Sequence, residues 1–234
     1  PDGIVPIWLL AILFLISIVF LGIAVRRINK RFDEKLVPYM GVLAAVIFAA
    51  QLVNFPIPPA SSGHLVGSTL IAVMLGPWAG MVIIALVLFV QALYGDGGLL
   101  AFGLNFFNMG IVGCFAGWTI AFVLFRVLKS LTDSKKAVLI STSVASFLSV
   151  VISAFILGVE LLTVEGFGLT ALSALTGIHV LIAIGEAVLT FVILLYFVKA
   201  KPTLISFLDD SETKEMAEVI ERPPMVTKTV QGGN

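Results

Sequence analysis

Apolar residues in this chain run in long unbroken blocks separated by short polar breaks. Several blocks approach or exceed the ~20 residues that cross a bilayer as a helix. The blocks predict seven helices, at about 4–25, 38–54, 63–75, 78–94, 99–126, 137–157 and 169–198. The third is short for a full span, and Gly76-Pro77 ends it. Alternation typical of a barrel is absent. The fold class that follows is an all-α integral membrane protein of about seven transmembrane helices. Its transmembrane domain covers residues 1–201. Residues 202–234 form a polar tail, with a short surface helix expected over Asp209 to Glu221 and disorder expected over the last residues.

Charge fixes an orientation for these helices. All 14 Lys and Arg residues fall in three segments. One follows the first helix (Arg26, Arg27, Lys30, Arg31, Lys35). One lies between the fifth and sixth (Arg126, Lys129, Lys135, Lys136). The last follows the seventh (Lys199, Lys201, Lys214, Arg222, Lys228). With seven spans all three lie on one side, which the positive-inside rule makes the cytoplasm. The N-terminus is then outside and the C-terminus cytoplasmic. Asp2, the loop around His64, the Gly95-Asp96-Gly97-Gly98 turn and the loop near Glu160 and Glu165 share the outer face. A face with carboxylates and no cations attracts cations.

Composition narrows the chemistry. Apolar residues are 59% of 234 and charged residues 12%, about half the charged share of a soluble domain. Net charge is zero, so no nucleic acid is expected as a partner. Cys114 is the only cysteine, which excludes an intrachain disulfide. The first apolar run lacks a preceding basic region and a following cleavage site, so it reads as a retained helix. No G-x-x-x-x-G-K-[ST] occurs, so the chain has no P-loop for ATP. H-E-x-x-H and G-x-S-x-G are also missing, which weighs against an intramembrane enzyme.

The polar residues inside the apolar blocks are few. Glu186 sits near the middle of the seventh helix, where an ionisable group is costly and is a functional candidate by default. His179 lies two turns earlier on the same face, ~10 Å away along the axis. A buried polar network of His179, Glu186 and Asn108 is one expectation, with a structural role for each as the plainer one. Asn105 and Asn108 share a face of the fifth helix. Gln51 and Gln91 are buried amides that glue helices. Gly41, Ala45 and Ala49 form a small-residue stripe on the second helix, and Gly113 and Gly117 form G-x-x-x-G on the fifth. Internal packing explains most such stripes, and docking of another membrane subunit is the alternative.

The break at "NFPIPPASSGHLVGSTL", residues 54–70, holds Pro56, Pro58, Pro59 and one of only two histidines, His64. The prolines stiffen the loop. Gly63 and Gly67 let backbone approach closely. By itself His64 reads as an exposed loop histidine.

Taken together, these stretches resemble a known family. "PDG" at 1–3, "GVLAAVIFAAQLVNFPIP" at 41–58, "SGHLVG" at 62–67, "LGPWAG" at 75–80, "VQALYGDGGLLAFGLNFFNMG" at 90–110 and "HVLIAIGEAVLT" at 179–190 occur in order. The chain resembles the substrate-binding membrane component of cobalt and nickel energy-coupling factor (ECF) transporters, the CbiM/NikM type. The likeness runs over residues 1–198 and is weakest in the sixth helix.

The resemblance implies high-affinity capture of a cobalt or nickel ion as the transported substrate, with cobalt uptake serving corrinoid (cobalamin) synthesis. It implies a Met-His-Ile ahead of Pro1. The metal ligands would be the N-terminal amine, the backbone nitrogen and imidazole of that upstream His, and the imidazole of His64. A planar set of nitrogens suits Ni(II) or Cu(II), and imidazole suits late first-row metals generally. Asp2, Ser61, Ser62 and Asn105 are candidates to orient His64 or steer the ion. The implied partners are a membrane coupling (T) subunit, cytoplasmic ATPase subunits and a small accessory membrane protein. The implied location is the cytoplasmic membrane of a prokaryote. The competing reading is a self-sufficient ion-coupled permease with Glu186 and His179 as a proton relay. An inverted repeat would favour it, and the sequence has none.

Overall fold

The computed structural model describes residues 3–29, 36–57 and 61–208. The helices are α1 (Ile7–Asn29), α2 (Leu36–Gln51), α3 (Ser68–Leu75), α4 (Pro77–Leu93), α5 (Phe102–Leu128), α6 (Ser134–Leu161) and α7 (Leu169–Ala200). α1, α5, α6 and α7 are each long and apolar enough to cross a membrane. α2 and α4 are shorter apolar helices. Inside α5 the stretch Phe106–Val112 is π-helical. Asp133 caps α6, its carboxylate accepting from the Lys136 amide at 2.9 Å. That bond, with Lys136 alongside, holds the Asp133 carboxyl below the usual carboxylate range.

The outside of the bundle is strongly apolar. Leu15, Val42 and Leu181 are 65%, 61% and 70% exposed. In water so much exposed apolar surface is a liability, and in lipid it is the low-energy arrangement. The interior is also mainly apolar, but it buries a set of hydroxyls and amides as well. Thr69 Oγ1 and Ser149 Oγ are 2.6 Å apart, and Ser146 Oγ and Thr190 Oγ1 are 3.0 Å apart. Ser153 Oγ donates to the Asn108 carbonyl at 3.0 Å. Ser146, Ser149 and Ser153 recur every three or four residues, so one face of α6 carries this polar seam.

Small residues set the closest approaches. A methyl group at Gly117 would strike Thr69 Oγ1, and one at Gly113 would crowd Ser68 Cβ at 3.0 Å. The G-x-x-x-G of α5 is therefore the seat of α3. Gly103 lies against the backbone of Phe14 in α1, and Ser17 Oγ donates to the Gly103 carbonyl at 2.7 Å. The α2 stripe differs: Gly41, Ala45 and Ala49 are exposed, and nothing lies within 4 Å of a Cβ built at Gly41.

Two expectations need correction. The fold is not purely helical. Asn54–Ile57 (β1) and Ser61–His64 (β2) form an antiparallel hairpin, pairing Asn54 with His64 and Ile57 with Ser61. α2 accordingly ends at Gln51, and α3 begins at Ser68 rather than 63. The chain also stays packed past Lys201. Pro202–Leu204 make a 3₁₀ turn, and Ile205, Phe207 and Leu208 are buried. Ser206 Oγ donates to the Val73 carbonyl at 2.6 Å, tying this segment to α3.

Candidate metal-capture site

α3 has eight residues, about 12 Å of helix. It cannot cross ~30 Å of hydrocarbon alone. The missing height is supplied by the hairpin and the non-helical segment Leu65–Gly67. Non-helical backbone at this depth must have its polar groups satisfied by protein. Two side chains, Glu186 and Gln51, do so. Glu186, midway along α7, accepts from the Val66 amide at 2.9 Å with Oε2 and from the Gly67 amide at 2.6 Å with Oε1. Gln51 Nε2, from the last turn of α2, donates to the Val66 carbonyl at 2.8 Å. Both groups of Val66 are thus held from opposite walls of the bundle. Gly67 has φ +77°, and a side chain there would strike Ile47. A carboxylate at the start of α3 also lies at the favourable end of that helix's dipole.

His64 is the last residue of β2, directly above this clamp. Its Nδ1 lies 2.8 Å from the Leu65 carbonyl. A carbonyl only accepts, so Nδ1 is the donor, and in the neutral ring that leaves the lone pair on Nε2. This is the tautomer a metal ligand needs, with the backbone carbonyl as its orienting partner.

The ring borders a cavity of about 60 Å³, a few water molecules in size. Val5, Ser62, His64, Gln91, Asp96 and Asn105 line it, with Leu104 and Leu161 among the apolar walls. Val5 belongs to the segment entering α1, so the beginning of the chain and His64 border the same space. The Gly95–Gly98 turn is stapled over it. Asn54 Nδ2 donates to Asp96 Oδ2 at 3.1 Å, and Asn105 Nδ2 donates to the Gly97 carbonyl at 3.2 Å. Gly97 and Gly98 both have φ near +80°, which glycine adopts readily. The Gln91 amide nitrogen is buried with no partner among the described residues.

Among the candidates read from sequence, His64, Ser62 and Asn105 meet at this cavity. Ser61 stands opposite Ile57 in the hairpin. Asp2 lies outside the described residues. The expected network of His179, Glu186 and Asn108 does not form. Glu186 spends both oxygens on the Val66 and Gly67 amides. Asn108 Nδ2 donates to Glu160 Oε2 at 2.6 Å and to the Leu104 carbonyl at 3.1 Å. His179 Nδ1 turns back to the Leu175 carbonyl at 2.8 Å. Glu160 is not in an outer loop but in the last turn of α6, half-buried against Asn108.

The sequence reading missed Asp96 and Gln91 as cavity residues and Gln51 as a clamp. Asp96 had a signal: a lone carboxylate among glycines between two spans. The described residues contain no cluster of three or more His, Cys, Asp or Glu. His64 is the one imidazole among the cavity's described lining residues.

Apolar outer faces, four helices long enough to cross a bilayer and a short α3 whose entering segment is clamped by Glu186 and Gln51 mark a multi-pass membrane protein. The solved structure of a transition metal transporter superposes with a TM-score of 0.79 at 28% identity, over 95% of this chain and 99% of that one. The chain belongs to the CbiM family, described as the cobalt uptake substrate-specific transmembrane region, whose model matches residues 1–204. An Archaeoglobus fulgidus protein, provisionally named a fused nickel transport protein, is 33% identical over 209 residues, 88% of this chain and 67% of that one. The cobalt transport protein CbiM of Geobacter sulfurreducens is 36% identical over 121 residues, 50% of this chain and 35% of that one.

Proposed function

We propose that this protein captures a cobalt or nickel ion on the outer side of a prokaryotic cytoplasmic membrane and serves as the substrate-specific component of an ATP-driven ECF-type transporter. The observation that carries the reading is the shared cavity: Val5, in the segment entering α1, and His64 border one small space with both polar and apolar walls. The ion is held by His64 Nε2 together with the N-terminal amine and a His just upstream of Pro1. Asp96 and the Asn105-held turn close the site from the side, and Ser61, Ser62 and Asp2 orient or steer. The hairpin and the Glu186–Gln51 clamp hold the imidazole in place, so little ordering is left to the moment of binding. The chain has no P-loop, so energy comes from cytoplasmic ATPase subunits through a membrane coupling subunit, with a small accessory membrane protein assisting loading. A self-sufficient permease is not favoured, because Glu186 is committed to backbone amides rather than to His179.

Equilibrium dialysis against Co(II) and Ni(II) tests this, on full-length protein whose native N-terminus has been verified by mass spectrometry. Wild type is expected to hold one equivalent. His64→Ala is expected to lose at least 10–100-fold in affinity, since loss of even an outer partner of a metal ligand costs that much. Undiminished binding by His64→Ala would overturn the assignment.

A further inference from the structure

At the pole opposite the small cavity lies a second, larger space of about 1090 Å³. It opens where α1 and α5 end and where α4 begins. Arg27, Arg126 and Lys129 reach its wall, and Trp78, Trp118 and Phe207 form much of the rest. The described lining contains no carboxylate. The cations are seated on aromatic faces: the Arg27 guanidinium lies 4.6 Å from the Trp78 ring centre and that of Arg126 lies 4.6 Å from Phe122. Stacking of this kind fixes a guanidinium while leaving its N–H edge open for a second partner. The N-terminus of α4 opens here too, with Gly76 before it and no side-chain cap, which adds to the positive potential.

We propose that this groove binds an anionic phospholipid, phosphate on Arg27 and Arg126 and upper acyl segments along Trp118 and Phe207. Three features favour a lipid over other anions. The groove sits at the ends of membrane-crossing helices, at headgroup height. Tryptophans line it, and indole rings prefer that interface. Its walls are aromatic below a cationic rim, matching an amphiphile rather than a free ion. Basic pockets between helix ends are where anionic headgroups bind. The site is independent of metal capture and lies at the other end of the bundle.

The test uses the full chain carrying Trp8→Phe, so that Trp78 and Trp118 are the only reporters. The protein is reconstituted in phosphatidylcholine with brominated phosphatidylglycerol or, in parallel, brominated phosphatidylcholine, and tryptophan quenching is followed against lipid fraction. The brominated anionic lipid is expected to quench at a lower fraction than its zwitterionic counterpart. Arg27→Gln and Arg126→Gln should each reduce that preference about fivefold, the share of one cation near an anionic surface, with helicity and elution unchanged. Equal quenching by the two lipids overturns the proposal, as does a preference that survives the double variant. The acidic segment from Asp209 to Glu221 begins next to the groove in sequence. If the lipid preference arises only after truncation behind Leu208, that segment is the occupant and the lipid assignment fails. Loss of the preference on adding inorganic phosphate at constant ionic strength likewise overturns it in favour of a free anion.

Discussion

Glu186 shows how one residue type carries different meanings in sequence and in space. An ionisable group in an apolar helix is expensive, and its presence was readable. Its partners were not, because Val66 and Gly67 lie about 120 positions away in the chain. Both carboxylate oxygens accept backbone N–H groups at mid-depth, so the residue is a structural clamp on the segment that carries His64. Glu186→Ala leaves two buried donors without acceptors, at about 1–3 kcal/mol each. Glu186→Gln keeps one acceptor and turns an NH₂ toward the second donor, so it should lose about half as much. Thermal unfolding in detergent should therefore rank wild type above Glu186→Gln above Glu186→Ala. Equal midpoints for all three would show that the clamp does not bear on stability. His64 was legible for another reason, since one histidine in a Pro- and Gly-rich break between apolar runs is conspicuous. The free Nε2 was not legible, because it depends on where the Leu65 carbonyl points.

At the scale of elements, the long apolar helices follow directly from hydrophobic run length, and their observed limits differ from the sequence reading by a few residues. The hairpin does not follow. Its strands are four residues each and include Pro56, a residue that strands usually exclude, so its sequence reads as loop. What makes it a hairpin is tertiary: Asn54 is pinned by Asp96 and the following segment by Gln51 and Glu186. Gly67 is the hinge between strand and helix, with two separable constraints. Gly67→Ala is strained by the positive φ, at about 1 kcal/mol or more, and its Cβ meets the Ile47 side chain. Adding Ile47→Val removes the terminal carbon that is struck, so the double variant should recover part, and only part, of the lost thermal stability. No recovery would mean that Ile47 does not press on Gly67, and full recovery would mean that φ carries no strain. The α5 glycines are equally specific: Gly113 and Gly117 serve internal packing on α3, whereas the α2 stripe stays open, a distinction that spacing alone does not make.

For the whole molecule, the fold is a bundle with two unlike poles, a small cavity beside His64 and a large cationic groove beside Arg27 and Arg126. Basic residues clustered by sequence segment already implied such polarity, and the Pro- and Gly-rich break before a short third helix marked where the path between the poles is irregular, though not the hairpin it forms. The proposed capture site depends on this path bringing His64 to the head of the chain. The measurement that addresses that claim most directly is X-ray absorption at the metal edge of the nickel-loaded protein with its native N-terminus, in wild type and His64→Ala. The account predicts a nitrogen-rich shell with outer scattering from two imidazoles, one of which disappears in any residual metal bound by His64→Ala. A spectrum that His64→Ala leaves unchanged, with one equivalent of metal still bound, contradicts it.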